Sequence, residues 1–318
     1  MTDRREFLAA AGLAAGATLL AGCPATRSGS SAGMGAASSR TAVAREWFRI
    51  SLAQWSLNRA LFGGKLDNLD FPVVARRDFG IDTVEYVNQF FMDKATDRAY
   101  LVQLKQRCDD NGVTSGLIMC DREGALGDAD AAARTRAVEN HYKWVEAAKF
   151  LGCHSIRVNA QSSGTMGAQL DHAVDGLRRL AQFGAQHGIN VIVENHGGYS
   201  SHGKWLSAVI EQVALPNCGT LPDFGNFTLS QGQVYDRYLG VTELMPFAKG
   251  VSAKSYAFDG AGNETTIDFR RMLSIVRDAG FRGHIGVEFE GRNMDEADGI
   301  RSTKVLLERL RAELAPTA

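Results

Sequence analysis

Five apolar runs in this chain end in side chains that ionise or hydrogen-bond. Val191-Ile192-Val193 runs into Glu194-Asn195-His196, and Leu221-Pro222 into Asp223, with Asn226 close behind. Val251-Ser252-Ala253 leads to Lys254, Gly286-Val287 to Glu288-Phe289-Glu290, and Ile156 to Arg157-Val158-Asn159. An extended chain alternates its side chains with a period of two. Glu194 and His196 therefore share a face, as do Glu288 and Glu290, Ser252 and Lys254, and Arg157 and Asn159. One acid after an apolar run reads as a solvated boundary residue. Three acids ending neighbouring runs, with a Lys and an Arg, read as a site, because gathered carboxylates repel unless a cation or proton sits among them. Such a set can perform acid–base catalysis beside a bound cation. Lys254, flanked by apolar residues, is costly to point inward unless paired; Glu288 or Asp223 would pair it, and stabilising a developing anion is its functional alternative.

The elements that must position these residues are legible as strand-like runs: Ile50–Trp55, Thr83–Val87, Thr114–Met119, Ser155–Asn159, Asn190–Glu194, Gly219–Asp223, Gly250–Lys254 and His284–Glu288. Helical candidates lie between them, among them Ala131–Leu151, Gly167–His187, His202–Val213, Asp268–Ala279 and Glu296–Leu314. Helix stops ending in glycine recur before strands, as at Gly152, Gly188 and Gly280. Strands alternating with helices in this number predict a closed parallel (βα)8 TIM barrel, whose chemistry sits at the C-terminal ends of its strands. An open doubly wound sheet is the alternative, weakened by the lack of a GxGxxG turn after the first strand.

The Glu194-Asn195-His196, Pro222-Asp223-Phe224-Gly225-Asn226, Lys254 and Val287-Glu288-Phe289-Glu290-Gly291 segments resemble those of the sugar phosphate isomerase/epimerase family, the xylose-isomerase-like barrels. The resemblance spans the domain from about residue 47 to 314 and implies an enzyme that enolises a sugar. It implies a divalent metal on Glu194, Asp223 and Glu288, with Glu194, Glu288 and Lys254 as catalytic groups. Arg157, Asn159, His196, Asn226, Glu290 and Trp55 would contact the carbohydrate. Two positions depart from the pattern. Ser252 stands where relatives often place a fourth ligand, a His, and Asn226 stands where some place another His. Three carboxylates without imidazole favour Mg2+ or Mn2+, with Zn2+ as an alternative. Water, substrate, His196 or Glu290 would complete the shell. The same departure supports a second reading, a sugar-binding module that has lost its chemistry. Two further readings stay open: Trp55, Tyr86, Phe90 and Phe91 stack on a sugar or plug the barrel, and Glu85 is a supporting buried acid or part of the pocket wall.

A formal net charge of -1 over 318 residues argues against a nucleic-acid groove, which needs a basic excess. Cys108, Cys120, Cys153 and Cys218 form no CxxC pair and read as small buried hydrophobes. At the N-terminus, Arg4-Arg5 precedes a short apolar run that ends Leu20-Ala21-Gly22-Cys23. This reads as a twin-arginine signal over residues 1–22, closing in a lipoprotein box, with an ordinary cleaved signal as the alternative. Residues 23–46, rich in Ser, Gly and Ala, read as a flexible linker to the barrel domain at 47–314. The expected product is an exported, periplasmic enzyme that meets the membrane only through a lipid on Cys23. An exported enzyme is expected to take an unphosphorylated keto sugar or glycoside. The Cys23→Ser variant should move from the membrane to the soluble fraction; a wild type already wholly soluble would refute the anchor.

Overall fold

In the computed structural model the described residues are 46–230 and 232–315. The proposed signal peptide, Cys23 and nearly all of the linker lie outside them. Eight parallel strands form the sheet: β1 (Arg49–Ala53), β2 (Thr83–Val87), β3 (Thr114–Met119), β4 (Ser155–Asn159), β5 (Asn190–Glu194), β6 (Cys218–Leu221), β7 (Val251–Ser255) and β8 (His284–Phe289). They follow one another in sequence order around the barrel, with β1 pairing β8. The remaining seam, between β6 and β7, is closed by parallel bridges Thr220–Ala248 and Asp223–Ser252. The helices outside include α2 (Phe71–Phe79), α3 (Arg98–Asn111), α4 (Ala131–Leu151), α5 (Met166–His187), α6 (Gly203–Val213), α7 (Arg237–Leu244), α8 (Phe269–Asp278) and α9 (Glu296–Glu313). A short helix α1 (Asn58–Phe62) lies in the connection after β1.

Local chemistry starts and stops these elements. Asp97, Asp130 and Asp268 cap α3, α4 and α8 by accepting from backbone N–H groups, which otherwise lack partners. Gly112, Gly152 and Gly188 end α3, α4 and α5 in the left-handed region that side chains disfavour. Gly176 on α5 serves packing instead: a Cβ there would collide with the Leu126 carbonyl oxygen.

Two apolar layers result. The larger fills the space between sheet and helices. The smaller plugs the barrel with Ala53, Val87, Leu117, Met119, Ile192 and Leu221, and Trp55 and Phe90 pack against it. Tyr86 and Phe91 belong to the outer layer. Tyr86 meets Cys108 Sγ and Ser115 Oγ, and Phe91 packs edge-on against Trp144, so neither faces a ligand. Among the described residues Cys108, Cys120, Cys153 and Cys218 are buried and free.

The expected strands differ from the observed ones chiefly at their C-terminal ends. β1 stops at Ala53, and Trp55 lies in the 3-10 turn Gln54–Leu57 rather than on the strand. There the Gln54 side chain takes over from the ladder, accepting from Val87 N at 2.8 Å and donating to Asn68 at 2.6 Å. β6 stops at Leu221 because Pro222 has no N–H to donate. Asp223 therefore sits just past the strand, on the bridge that closes the barrel.

Candidate metal centre at the barrel mouth

The inward positions of the last four strands converge as the two-residue period requires. Glu194 ends β5, Asp223 follows β6, and Glu288 lies near the end of β8; one carboxylate oxygen of each lies within 4.8 Å of the others, and all three side chains are buried. Ser252 of β7 stands among them, its Oγ 2.8 Å from Asp223 Oδ2 and 2.5 Å from Glu288 Oε2. One hydroxyl has a single proton to donate. Two carboxylates on it leave a negative excess that a cation or a further proton must balance.

Two buried cations hold the periphery. Lys254 Nζ lies 3.6 Å from Asp223 Oδ2, 3.4 Å from Glu288 Oε1 and 3.3 Å from Glu290 Oε1. Arg157 Nε stands 2.8 Å from Glu194 Oε2 without hydrogen-bond alignment, and its NH1 donates to Asp121 Oδ1 at 2.8 Å. Burial pushes the carboxyls of Glu194 and Asp223 up, and the neighbouring Glu288 adds to that, against the pull of Arg157 and Lys254 respectively. Burial also pushes Glu288 up, but Lys254 and the Ser252 hydrogen bond outweigh it and leave the group below its usual range. Lys254 is held well above its ordinary value: burial opposes its charge, and Asp223, Glu288 and Glu290 more than compensate.

Backbone turns fix the ligands. Asn195, buried behind Glu194, accepts from Asp223 N and donates to the carbonyls of Asp223 and Asn226. Asp223 Oδ1 accepts from Gly225 N and Asn226 N, which leaves Oδ2 for the centre. Asn226 donates to Glu194 Oε1 at 2.8 Å, so it orients a carboxylate of the cluster. Asn159 donates to Asp121 Oδ1 at 2.9 Å. Trp55 and Glu290 are half-buried on the rim. β5 ends at Glu194, and His196 follows it exposed at the barrel mouth, its backbone N–H donating to Ser200 Oγ. Its imidazole is pushed down by partial desolvation and by the nearby cations Arg157 and Lys254. It lies outside the carboxylate cluster.

Three participants escaped the sequence reading or were left without a role. Asp121 is one. Burial raises its carboxyl, yet the Arg157 ion pair and the Asn159 hydrogen bond dominate and hold it down at about 2. It follows β3 in the same alternation as Leu117 and Met119, so the rule that found the other acids reaches it once the strand is read two residues further. Asn195 carries no titratable signal. Glu85 is the third: it is buried inside the barrel, Oε1 accepts from Ser51 at 2.6 Å and Oε2 has no partner. Gly286 makes its space, since a Cβ there would come within 2.7 Å of Glu85 Oε2.

The donor set is carboxylate and hydroxyl oxygen, suited to a hard divalent cation. The buried negative excess and the Glu194 oxygen lacking an aligned donor agree with that fit.

The fold and the site together define an eight-stranded parallel barrel with an acidic centre where its strands end. The chain belongs to the xylose isomerase-like TIM barrel family, whose model matches residues 74–311. Among solved structures, a xylose isomerase-like barrel protein from Mycobacterium smegmatis in complex with magnesium is similar at 15% identity and a TM-score of 0.62, over 84% of this chain and 98% of that one. An L-ribulose 3-epimerase matches at 18% identity and a TM-score of 0.63, over 85% of this chain and 98% of that one. A 3-keto-D-glucoside 4-epimerase from E. coli matches at 16% identity and a TM-score of 0.61, over 82% and 99%. No curated protein matches by sequence.

Glu85 generates a test of the electrostatics. Burial, reinforced by Glu288 and Glu194 against the Ser51 hydrogen bond, raises its carboxyl from 4.5 to about 7. The folded chain thus holds this proton more tightly than the unfolded chain. The stability it contributes is full below pH 4.5 and is lost as pH rises to about 7. Glu85→Gln cannot ionise. In metal-free protein it should match the wild type near pH 4 and exceed it by up to about 3 kcal/mol at pH 8 in urea unfolding. A variant less stable than the wild type at pH 8 would show that an ionised Glu85 has a partner.

Proposed function

We propose that the chain is a carbohydrate isomerase or epimerase, or a lyase or hydratase of the same enolising class, acting on an unphosphorylated keto sugar. The observation that carries this reading is the arrangement of Glu194, Asp223 and Glu288, within 4.8 Å of one another and buttressed by Lys254 and Arg157. The sugar epimerases among its structural neighbours support the substrate class.

Glu194, Asp223 and Glu288 would hold the divalent cation, with Ser252 beside it. When bound, that cation polarises a sugar carbonyl or its neighbouring hydroxyl and so acidifies the adjacent C–H. Glu288, kept ionised by Lys254 and Ser252, takes the proton from carbon, and the released electron pair moves to the carbonyl oxygen. The Lys254 ammonium stabilises the enediolate charge that develops there. Return of a proton from Glu194 to the opposite face of the same carbon inverts it; return to the adjacent carbon isomerises the sugar. Arg157, fixed by Asp121, orients a sugar oxygen and restrains Glu194. Asn159, Glu290, Trp55 and His196 would line the carbohydrate, His196 from the solvent side. An unphosphorylated substrate follows from the proposed export of a Cys23-anchored protein from the cytoplasm.

A second reading is favoured by one observation, Ser252 in place of an imidazole ligand: a sugar-binding protein without catalysis.

Metal analysis tests the first step. Purified protein should carry about one Mg2+, Mn2+ or similar ion per chain. Chelation should lower its Tm, since a ligand held only by the native state stabilises it. Asp223→Ala should abolish both effects; unchanged metal content in that variant removes Asp223 from the shell.

Hydrogen exchange tests the chemistry. Incubation with ketohexoses and methyl 3-ketoglucoside in D2O should place deuterium on the carbon beside the carbonyl. Glu288→Gln should suppress exchange more than binding, because it keeps the shape and removes the base. Lys254→Met should slow it on the order of 10²-fold, as for a lost oxyanion donor. A sugar that binds tightly and shows no exchange, isomerisation, hydration or elimination leaves the binding-protein reading standing.

A further inference from the structure

A cavity of about 510 Å3 opens beside the carboxylate cluster; it shares Trp55 and Glu290 with the substrate contacts proposed above and extends beyond them. It lies over the connection after β1 and the one after β8, lined by Trp55, Asn58, Arg59, Glu290, Arg292 and Glu296. Two of these residues join it to the centre. Glu290 reaches Lys254 at 3.3 Å, and Trp55 packs on the apolar plug inside the barrel. A molecule whose reacting carbon sits near Glu288 would therefore continue past Glu290 and Trp55 into this space.

The lining says what it accepts. Trp55 is braced edge-on by Phe62 at 6.0 Å and contacts Phe90 at 6.2 Å, which leaves an aromatic surface at the junction. Two arginines, Arg59 and Arg292, are matched in number by two acids, Glu290 and Glu296, so the lining carries no net formal charge. Arg59 is locked: its guanidinium donates to the Gly291 and Met294 carbonyls and lies 3.5 Å from Glu296. Arg292 is exposed and has no ion pair or hydrogen bond among the described residues, so its donors are available. An aromatic surface ringed by balanced donors and acceptors suits a neutral ligand with an apolar C–H face and a belt of hydroxyls, and the volume falls in the range of ligand pockets.

The geometry points to a second sugar subsite: the substrate is a keto glycoside whose reacting ring lies at the carboxylate centre and whose second sugar ring occupies the cavity against Trp55 and Arg292. This rests on the proposed keto-sugar chemistry for the first ring only, and the test separates the two. Isothermal titration of the metal-loaded full chain would compare methyl 3-ketoglucoside with a 3-keto disaccharide carrying glucose in place of the methyl group. The disaccharide should bind about tenfold more tightly, the effect of a hydrogen bond from a charged donor. Arg292→Ala should collapse the two affinities onto one value, and Arg292→Lys should restore part of the difference. Equal affinities in the wild type, a difference that survives Arg292→Ala, or binding of neither probe overturns the subsite. Deuterium exchange on the methyl probe is read in parallel. A tenfold preference without exchange on either probe keeps the subsite and removes the enolising chemistry. Exchange without preference does the reverse.

Discussion

Burying three carboxylates within 4.8 Å of one another is the constraint around which the rest of this barrel mouth is arranged. Taken from water and left unpaired, such charges would destabilise the fold by far more than a typical domain's net stability. The protein meets the cost in layers. Lys254 is shared among Asp223, Glu288 and Glu290, and Arg157 is shared between Glu194 and Asp121. Each cation thus faces more acid than it can neutralise, and the residual negative charge is one that a metal ion could balance.

The barrel supplies the rigidity that this arrangement demands. Lys254 and Glu288 are register partners on adjacent strands, so their pairing is set by backbone hydrogen bonds. Asp223 lies on the bridge that closes β6 to β7, and Asn195 ties its backbone to the end of β5. A ligand held by the closure of the barrel is hard to displace without opening the fold. Beside these polar groups the apolar plug fills the barrel interior, and Glu85 adds a fourth carboxyl there, in the space Gly286 leaves.

Ser252 gives the centre its individual character. Its short side chain reaches Asp223 and Glu288 together and offers a neutral oxygen. The donor set is therefore entirely oxygen, which biases it toward hard cations over those that prefer imidazole. The loop after β8 adds a second distinction, because Glu290 reaches from the cavity it lines to Lys254 of the charged centre.

The barrel, the three acids and the two cations follow from local features of the sequence. Apolar runs of strand length, glycine-ended helices and a two-residue alternation are local properties, and the inward face of each strand follows from them. That is why Glu194, Asp223, Glu288, Lys254 and Arg157 were legible before any coordinates. Alternation no longer fixes direction where strands end, and His196, past the end of β5, is exposed at the mouth near Arg157 and Lys254. Asn195 and Asn226, which position the ligands, and Asp121, which anchors Arg157, acquire their roles only through contacts made across the barrel. The lone-oxygen burial of Glu85 and the space beside Arg292 likewise depend on which strands and loops become neighbours. One-dimensional periodicity can say which way a strand residue points; only closure of the sheet, which brings together residues far apart in the chain, decides what it points at.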